Sequence, residues 1–447
     1  MAPQPRATPT PDEVSAFAAR YDALPLSWAH VGVLVLAATA LSFDLWEIAL
    51  NSVLSTFLSS NARINHSLAL PMVVTSVFFG GMVGSPVLGW VADRWGRRRT
   101  MMASLVWMGV CTALAPVRED LSWLIAFRML SGLALGAFPP ILMAYLAEIV
   151  PPDRRAGLLV GSTSLASLGA PAALFMTRWM DSLQPLGIEG WRWGFMLGGG
   201  GAIVLGLFFL LLPETPRWLF ARGERAKAEA LFARFEASPP VPLVGRRSLI
   251  RSEQAAGRKP TAVATAVLMG IWALSPWVNG SFPIMSAAIL VQKGFGVEKT
   301  LLYVGLLSVG PMLGGFITAP VLDLGARRRV LAALSVLIGV AGILFVAATG
   351  PRLLLCAGVL FNVLGTVLVP VLFTYTGELY PTDQRARMAA FGWAANRLGS
   401  CLAPFVLLPI LHAKGPTAVT GVMVVAIAST ILLLNCAPPG RERRSVA

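Results

Sequence analysis

The sequence predicts an all-α integral membrane protein, with twelve transmembrane helices in two pseudo-symmetric six-helix bundles. Three observations carry that prediction. First, the 447-residue chain is 56% hydrophobic and 13% charged, where soluble proteins carry about 25% charged residues, so it lacks the polar surface that water demands. Second, the apolar residues fall in long runs, most of them reaching the ~20 residues that a helix needs to cross a bilayer. Third, the sequence repeats itself. Asp93 returns as Asp323, an offset of 230 residues (323 − 93 = 230). At the same offset Gly80 and Gly84 return as Gly310 and Gly314. Tyr145, Glu148, Pro151, Asp153 and Arg155 return as Tyr375, Glu378, Pro381, Asp383 and Arg385. One shift holding across three regions means a duplication into halves of parallel topology.

Taken in order, residues 1–25 are polar and proline-rich. They have no apolar h-region, so no cleavable signal peptide is expected. Thr10-Pro11-Asp12-Glu13 has the pattern of a capping box and a first-turn proline, which predicts a short surface helix to about Asp22. Spans follow at 28–57, 68–92, 101–117, 121–149, 157–179 and 191–212, then at 262–291, 300–322, 329–349, 352–379, 386–411 and 416–436. The first bundle is residues 26–213 and the second 261–437, with a polar linker at 214–260 and a tail at 438–447. Glu224 to Ala230 in the linker is a good helix former. Pro139-Pro140, Pro276, Pro283 and Pro404 are expected to kink spans 4, 7 and 11. Small residues at i, i+4 spacing let helices approach closely; these are Gly81, Ser85 and Gly89, then Gly132 and Gly136, then Gly310 and Gly314.

The net charge of +14 suggests nucleic acid, but its distribution excludes that partner. The basic residues gather in the N-terminal segment, alternate loops, the linker and the tail. This positive-inside pattern places both termini in the cytoplasm and the protein in the lipid bilayer, as in a bacterial inner membrane. Cys111, Cys356, Cys401 and Cys436 all lie in apolar runs, without zinc or disulfide spacing, and read as buried fillers. No metal and no cofactor are expected. No nucleophile–base set is present either, so an enzyme is disfavoured.

Between spans 2 and 3 the chain reads G-W-V-A-D-R-W-G-R-R-R-T from Gly89 to Thr100. Gly89, Asp93, Arg94, Gly96, Arg97 and Arg98 match the loop signature of the major facilitator superfamily, and the chain resembles that family from about residue 25 to 437. Arg128-x-x-x-Gly132, the E-x6-R pairs Glu148/Arg155 and Glu378/Arg385, and Pro213-Glu214-Thr215-Pro216-Arg217-Trp218-Leu219 are similar to the sugar-porter and metabolite–proton symporter branches. Asp44-Leu45-Trp46-Glu47 and Asn396-Arg397-Leu398-Gly399 resemble the aromatic-acid and metabolite symporters. Span 7 departs from the sugar porters, since it lacks their paired glutamines, which argues against a sugar. The resemblance implies the major facilitator fold, alternating access and a monomer. It also implies an ion pair between Arg128 and a span 1 acid that takes and releases a proton.

The residues themselves support that expectation. Asp44 and Glu47 share one helix face at i, i+3 spacing, and intramembrane carboxylates are costly unless paired or facing water. Helical rise puts Arg128 within reach of either; a static buried ion pair is the alternative reading. Arg397 lies near mid-membrane and has no counterpart in the first half, where the offset lands on Ser167. A substrate carboxylate would satisfy it in bidentate form, as would an acid of the protein. Asn279, Asn362 and Asn396 are further candidate substrate ligands, and Trp272 and Trp277 candidate cavity walls. Gly89, Asp93, Arg94, Gly96, Arg97, Arg98, Glu148, Arg155, Asp323, Glu378, Arg385 and Arg387 form an expected cytoplasmic gate, its ion pairs crossing the halves in the outward-facing state. The sequence therefore predicts a proton-coupled symporter of a small organic or aromatic carboxylate, with protons and a small molecule as partners. The alternatives are an efflux antiporter of hydrophobic or cationic compounds and a non-transporting membrane receptor.

Overall fold

The computed structural model describes residues 10–59, 69–241, 261–280, 282–323, 326–380 and 382–438. Twelve helices among them are long and apolar enough to cross a membrane. Spans 1 to 6 are Trp28–Ser59, Ala69–Trp95, Arg97–Val117, Leu121–Ile149, Gly157–Leu183 and Gly190–Leu211. Spans 7 to 12 are Ala262–Asn279, Val297–Thr318, Arg327–Ala347, Pro351–Leu379, Met388–Lys414 and Pro416–Cys436. The described residues hold no β-strand; one isolated bridge, Ser27 to Pro240, fastens the start of span 1 to the linker.

The N-terminal helix Pro11–Asp22 begins at the expected capping box, with the Thr10 N–H donating to Glu13 Oε2 at 2.8 Å. It lies against two linker helices, Pro216–Ala221 and Arg225–Glu236. Phe17 stacks on Phe220 at 4.4 Å, and Tyr21 meets Phe235 edge-on. Arg225 pairs with Glu13 and Arg20 with Glu229. Residues 242–260 of the linker lie outside the described residues.

Of the three spans expected to kink, one breaks. Span 4 stays helical through Pro139 and Pro140, and the helix of span 11 runs through Pro404. In span 7 the α-helix ends at Ser275, Pro276–Gly280 widens into a π-helical turn, and the helix resumes at Phe282. Two unexpected breaks follow Ala166 in span 5 and Leu307 in span 8. Each precedes a proline, Pro171 or Pro311. A proline withholds its N–H from the carbonyl four residues earlier and crowds it, which here means residues 167 and 307. Ser167 and Ser308 then donate back to Thr163 O at 3.0 Å and Val304 O at 2.8 Å, a bond that helps bend helices.

The repeat is visible as repeated contacts. A Cβ on Gly84 would land on the carbonyl of Leu133, and one on Gly314 on the carbonyl of Val363; both pairs are related by the same offset. Spans 2 and 4, like spans 8 and 10, therefore pack backbone to backbone. The expected face of Gly81, Ser85 and Gly89 is only partly used. Gly81 meets Gly136, but nothing lies within 4 Å of a Cβ on Gly89.

The halves meet through span 5 against span 8, span 2 against span 11, and span 1 against the second segment of span 7. At the end remote from the termini, Arg178 of span 5 and Glu298 of span 8 join them at 2.5 Å.

Candidate functional site

Span 1 brings Asp44 and Glu47 into the interior, where both are buried. Their environments differ. Arg128 Nη1 donates to Glu47 Oε1 at 2.7 Å, Ser131 Oγ to the same oxygen at 2.9 Å, and Thr112 Oγ1 to Oε2 at 2.7 Å. Arg128 also donates through Nη2 to Asn51 Oδ1 and lies 5.5 Å over the Phe195 ring. Spans 1, 3, 4 and 6 thus enclose a buried ion pair in which the Arg128 Nη1 and Nη2 groups are bonded and Nε is left without a partner. Both Glu47 oxygens are bonded and no exposed surface remains on Arg128, as a charge taken out of water requires.

Asp44, one turn earlier, lies outside this network. Its Oδ1 is buried without a hydrogen-bond partner. Two charges lie within its electrostatic reach, Arg397 on span 11 of the other half and Glu47 on its own helix. Arg397 is half-buried, sits 4.6 Å over the Trp393 ring, and has a buried Nε with no hydrogen-bond partner. An acid from one half and a guanidinium from the other therefore lie within electrostatic reach of each other, and each keeps a buried polar atom without a hydrogen-bond partner.

The remaining candidates separate around this pair. Asn396, beside Arg397, is buried and donates to Ser275 Oγ at 2.7 Å. Asn279, in the π-helical turn, donates to Gly365 O at 2.8 Å. Asn362 bonds its own helix at Gly358 O, 3.0 Å away. Trp272 is fully buried, with Nε1 on Thr376 Oγ1 at 3.1 Å and its ring against Phe373 and Trp393. It lies beneath Trp393 and Phe373, which are more accessible. Trp277 lines a small apolar cavity of about 40 Å³ with Phe282, Met285 and Phe361, away from Arg397.

At the arginine-rich end the loop signature has a geometric explanation. Gly96 turns the chain with φ +98°, and a Cβ there would collide with the Glu214 carboxylate. Glu214 caps the start of span 3, where the backbone N–H groups of Arg97 and Arg98 donate to Oε1 at 3.1 and 3.2 Å. An anion at a helix N-terminus is favourable. Burial pushes the Glu214 carboxyl up, while those N–H bonds and Arg98 pull it down. Arg98 donates to Leu212 O at 3.0 Å, Asp93 is exposed, and Arg94 lies 3.9 Å over Trp90.

The ion pairs described at this end stay within one half or tie it to the N-terminal helix. Arg97 pairs with Glu148, Arg327 with Glu378 at 3.0 Å, and Asp22 with both Arg217 and Arg155, at 2.5 and 3.5 Å. The side chains of Asp323, Arg385 and Arg387 lie outside the described residues. Arg327 was readable, since it stands at the repeat offset from Arg97. Asn51 follows Glu47 by one helical turn and was readable too. Ser131 follows Arg128 by about one turn and was readable in the same way, whereas Thr112, Ser275 and Thr376 carry no local signal.

A family model described as Major Facilitator Superfamily matches residues 33–404. The chain is 28% identical over 406 residues to the putative metabolite transport protein YyaJ of Bacillus subtilis, covering 88% of this chain and 89% of the relative. It is 24% identical over 439 residues to the niacin transporter NiaP of Acinetobacter baylyi, covering 96% and 98%. Among solved structures it resembles a D-xylose-proton symporter, with a TM-score of 0.69, 16% identity and coverage of 92% and 98%.

Proposed function

Since the chain belongs to the major facilitator superfamily, we propose that it is a proton-coupled symporter of a small organic carboxylate, working by alternating access. The observation that carries the reading is that Asp44 of one half and Arg397 of the other lie within electrostatic reach, with an unbonded Oδ1 and an unbonded Nε. Glu47, with both oxygens bonded, pairs with Arg128 within one half, and this pair serves as the support that orients the Asp44 turn.

In this mechanism Arg397 binds the substrate carboxylate, whose two oxygens suit a guanidinium. Asp44 then loses its countercharge. A buried carboxylate without one favours its protonated form, so substrate loading and proton uptake go together. Release of the proton restores the Asp44 charge, which competes for Arg397 and expels the substrate. Trp393, under Arg397, and Phe373 offer ring faces to a flat substrate. The relative named a niacin transporter supports an aromatic carboxylate, since niacin is a pyridine carboxylate. Relatives named for sugars support proton coupling more than they support the substrate, because span 7 lacks paired glutamines. The arginine-rich end is the cytoplasmic side, and the Arg97–Glu148 and Arg327–Glu378 pairs brace the gate within each half.

The test is substrate-induced proton movement in proteoliposomes holding a pH dye, with carboxylates, sugars and lipophilic cations added singly. Internal acidification with an aromatic carboxylate, lost in Arg397→Gln, is expected. A response to sugars alone would overturn the substrate class, and alkalinisation by lipophilic cations would replace symport with efflux antiport.

A further inference from the structure

A polar cavity lies at the arginine-rich end, between the end of span 2, the start of span 3 and the linker, away from the central pair. It has a volume of about 440 Å³ and is lined by Arg94, Trp95, Arg99, Trp218, Arg222 and Glu224. Three guanidiniums converge on it. Two are held in place by ring faces, Arg94 at 3.9 Å over Trp90 and Arg222 at 5.0 Å over Trp218. Arg222 also donates to the Arg94 carbonyl at 2.5 Å, which ties the linker wall to the end of span 2. Arg99 is exposed and, among the described residues, has neither an ion pair nor a hydrogen bond. The single acid, Glu224, is engaged by Lys227 at 2.7 Å. The cavity therefore holds an excess of positive charge with N–H donors to spare.

Its surroundings indicate what would fill it. Trp90 and Trp95 are 56% and 67% exposed beside the cavity, where span 2 ends. Exposed tryptophans at a span end mark the membrane–water interface, and basic pockets at that level suit anionic headgroups. We propose that this cavity binds a phosphate-group anion, through Arg94, Arg99 and Arg222, at the level of the lipid headgroups. A phospholipid headgroup and free phosphate share that chemistry. Binding there would brace the linker helices against the loop between spans 2 and 3.

Phosphatidylglycerol and phosphatidylcholine are titrated into the detergent-purified full chain and counted by native mass spectrometry, with inorganic phosphate titrated separately by calorimetry. Arg99→Gln is the conservative variant, since its side chain makes no described bond that folding needs; Arg99→Gln/Arg222→Gln is the stronger one. Phosphatidylglycerol is expected to bind in preference to phosphatidylcholine. Its affinity should fall about fivefold in the single variant and about thirtyfold in the double, at roughly one interfacial charge's attraction per arginine. The same pattern with inorganic phosphate but not with phosphatidylglycerol would support the anion site and assign it to a soluble ligand. Binding that is equal in wild type and both variants, or absent for both probes, would overturn the proposal.

Discussion

The two halves share a scaffold and differ in their charged interior. Gly84 packs on Leu133 as Gly314 packs on Val363. Arg97 pairs with Glu148 as Arg327 pairs with Glu378. Tyr145 Oη donates to Pro213 O at 2.7 Å, and Tyr375 Oη to Pro438 O at 2.5 Å. These contacts sit at helix crossings and at the arginine-rich end, where both halves face the same task of close packing and bracing. The polar interior is not repeated. The offset carries Asp44, Glu47 and Arg128 onto Leu274, Trp277 and Gly358, and Arg397 back onto Ser167. Repeated contacts therefore mark architecture, and the unrepeated charges are where the proposed mechanism places the separate contributions of the halves. The first half holds the buried acids and the second a guanidinium over the Trp393 ring.

The comparison can be broken most sharply at Glu47. Glu47→Gln leaves the Arg128 charge buried without its counterion, which should cost about 3–5 kcal/mol. Replacing both members, as in Glu47→Leu/Arg128→Met, should recover most of that loss. Thermal unfolding in detergent checks both, and a double variant no more stable than the single would mean that the pair's contribution is not electrostatic. The shared packing is tested next. Gly84→Ala and Gly314→Ala each drive a methyl into a carbonyl, and each should cost about 1–3 kcal/mol. A loss confined to one half, measured the same way, would show that the repeated crossings are not equivalent. The smallest effects belong to the repeated ion pairs. Arg97→Ala and Arg327→Ala should each cost about 1 kcal/mol or less, because both pairs are partly solvated, and the two losses should match.

Much of this scaffold was legible in the sequence. Run length, charge alternation and the constant offset predicted twelve spans in two halves, with limits close to those of the helices. The breaks in spans 5 and 8 were missed for a physical reason. A proline disturbs the carbonyl four residues before it, so Pro171 and Pro311 act at positions that look unremarkable in the sequence. Conversely, Pro139, Pro140 and Pro404 stay in continuous helix, where neighbouring helices and local adjustment accommodate them. At the site, spacing along span 1 singled out Asp44 and Glu47, but it could not tell which would meet Arg128. That choice depends on Thr112 and Ser131, which arrive from spans 3 and 4 and complete the Glu47 network. Trp272 looked like a cavity wall from its mid-span position. Its burial beneath Trp393 and Phe373 depends on how spans 7, 10 and 11 pack, which no local pattern encodes. Gly96 was legible as a turn, but the Glu214 carboxylate that excludes a side chain there comes from the start of the linker, just beyond span 6.

The central claim is that Asp44, rather than Glu47, carries the coupling proton. Its most direct test is transport of an aromatic carboxylate by Asp44→Asn proteoliposomes, measured once as accumulation driven by an imposed pH gradient and once as exchange against internal substrate. The account predicts that accumulation is lost while exchange persists, since the variant holds a permanently neutral side chain opposite Arg397. Accumulation that survives in Asp44→Asn would contradict it and return the proton to Glu47.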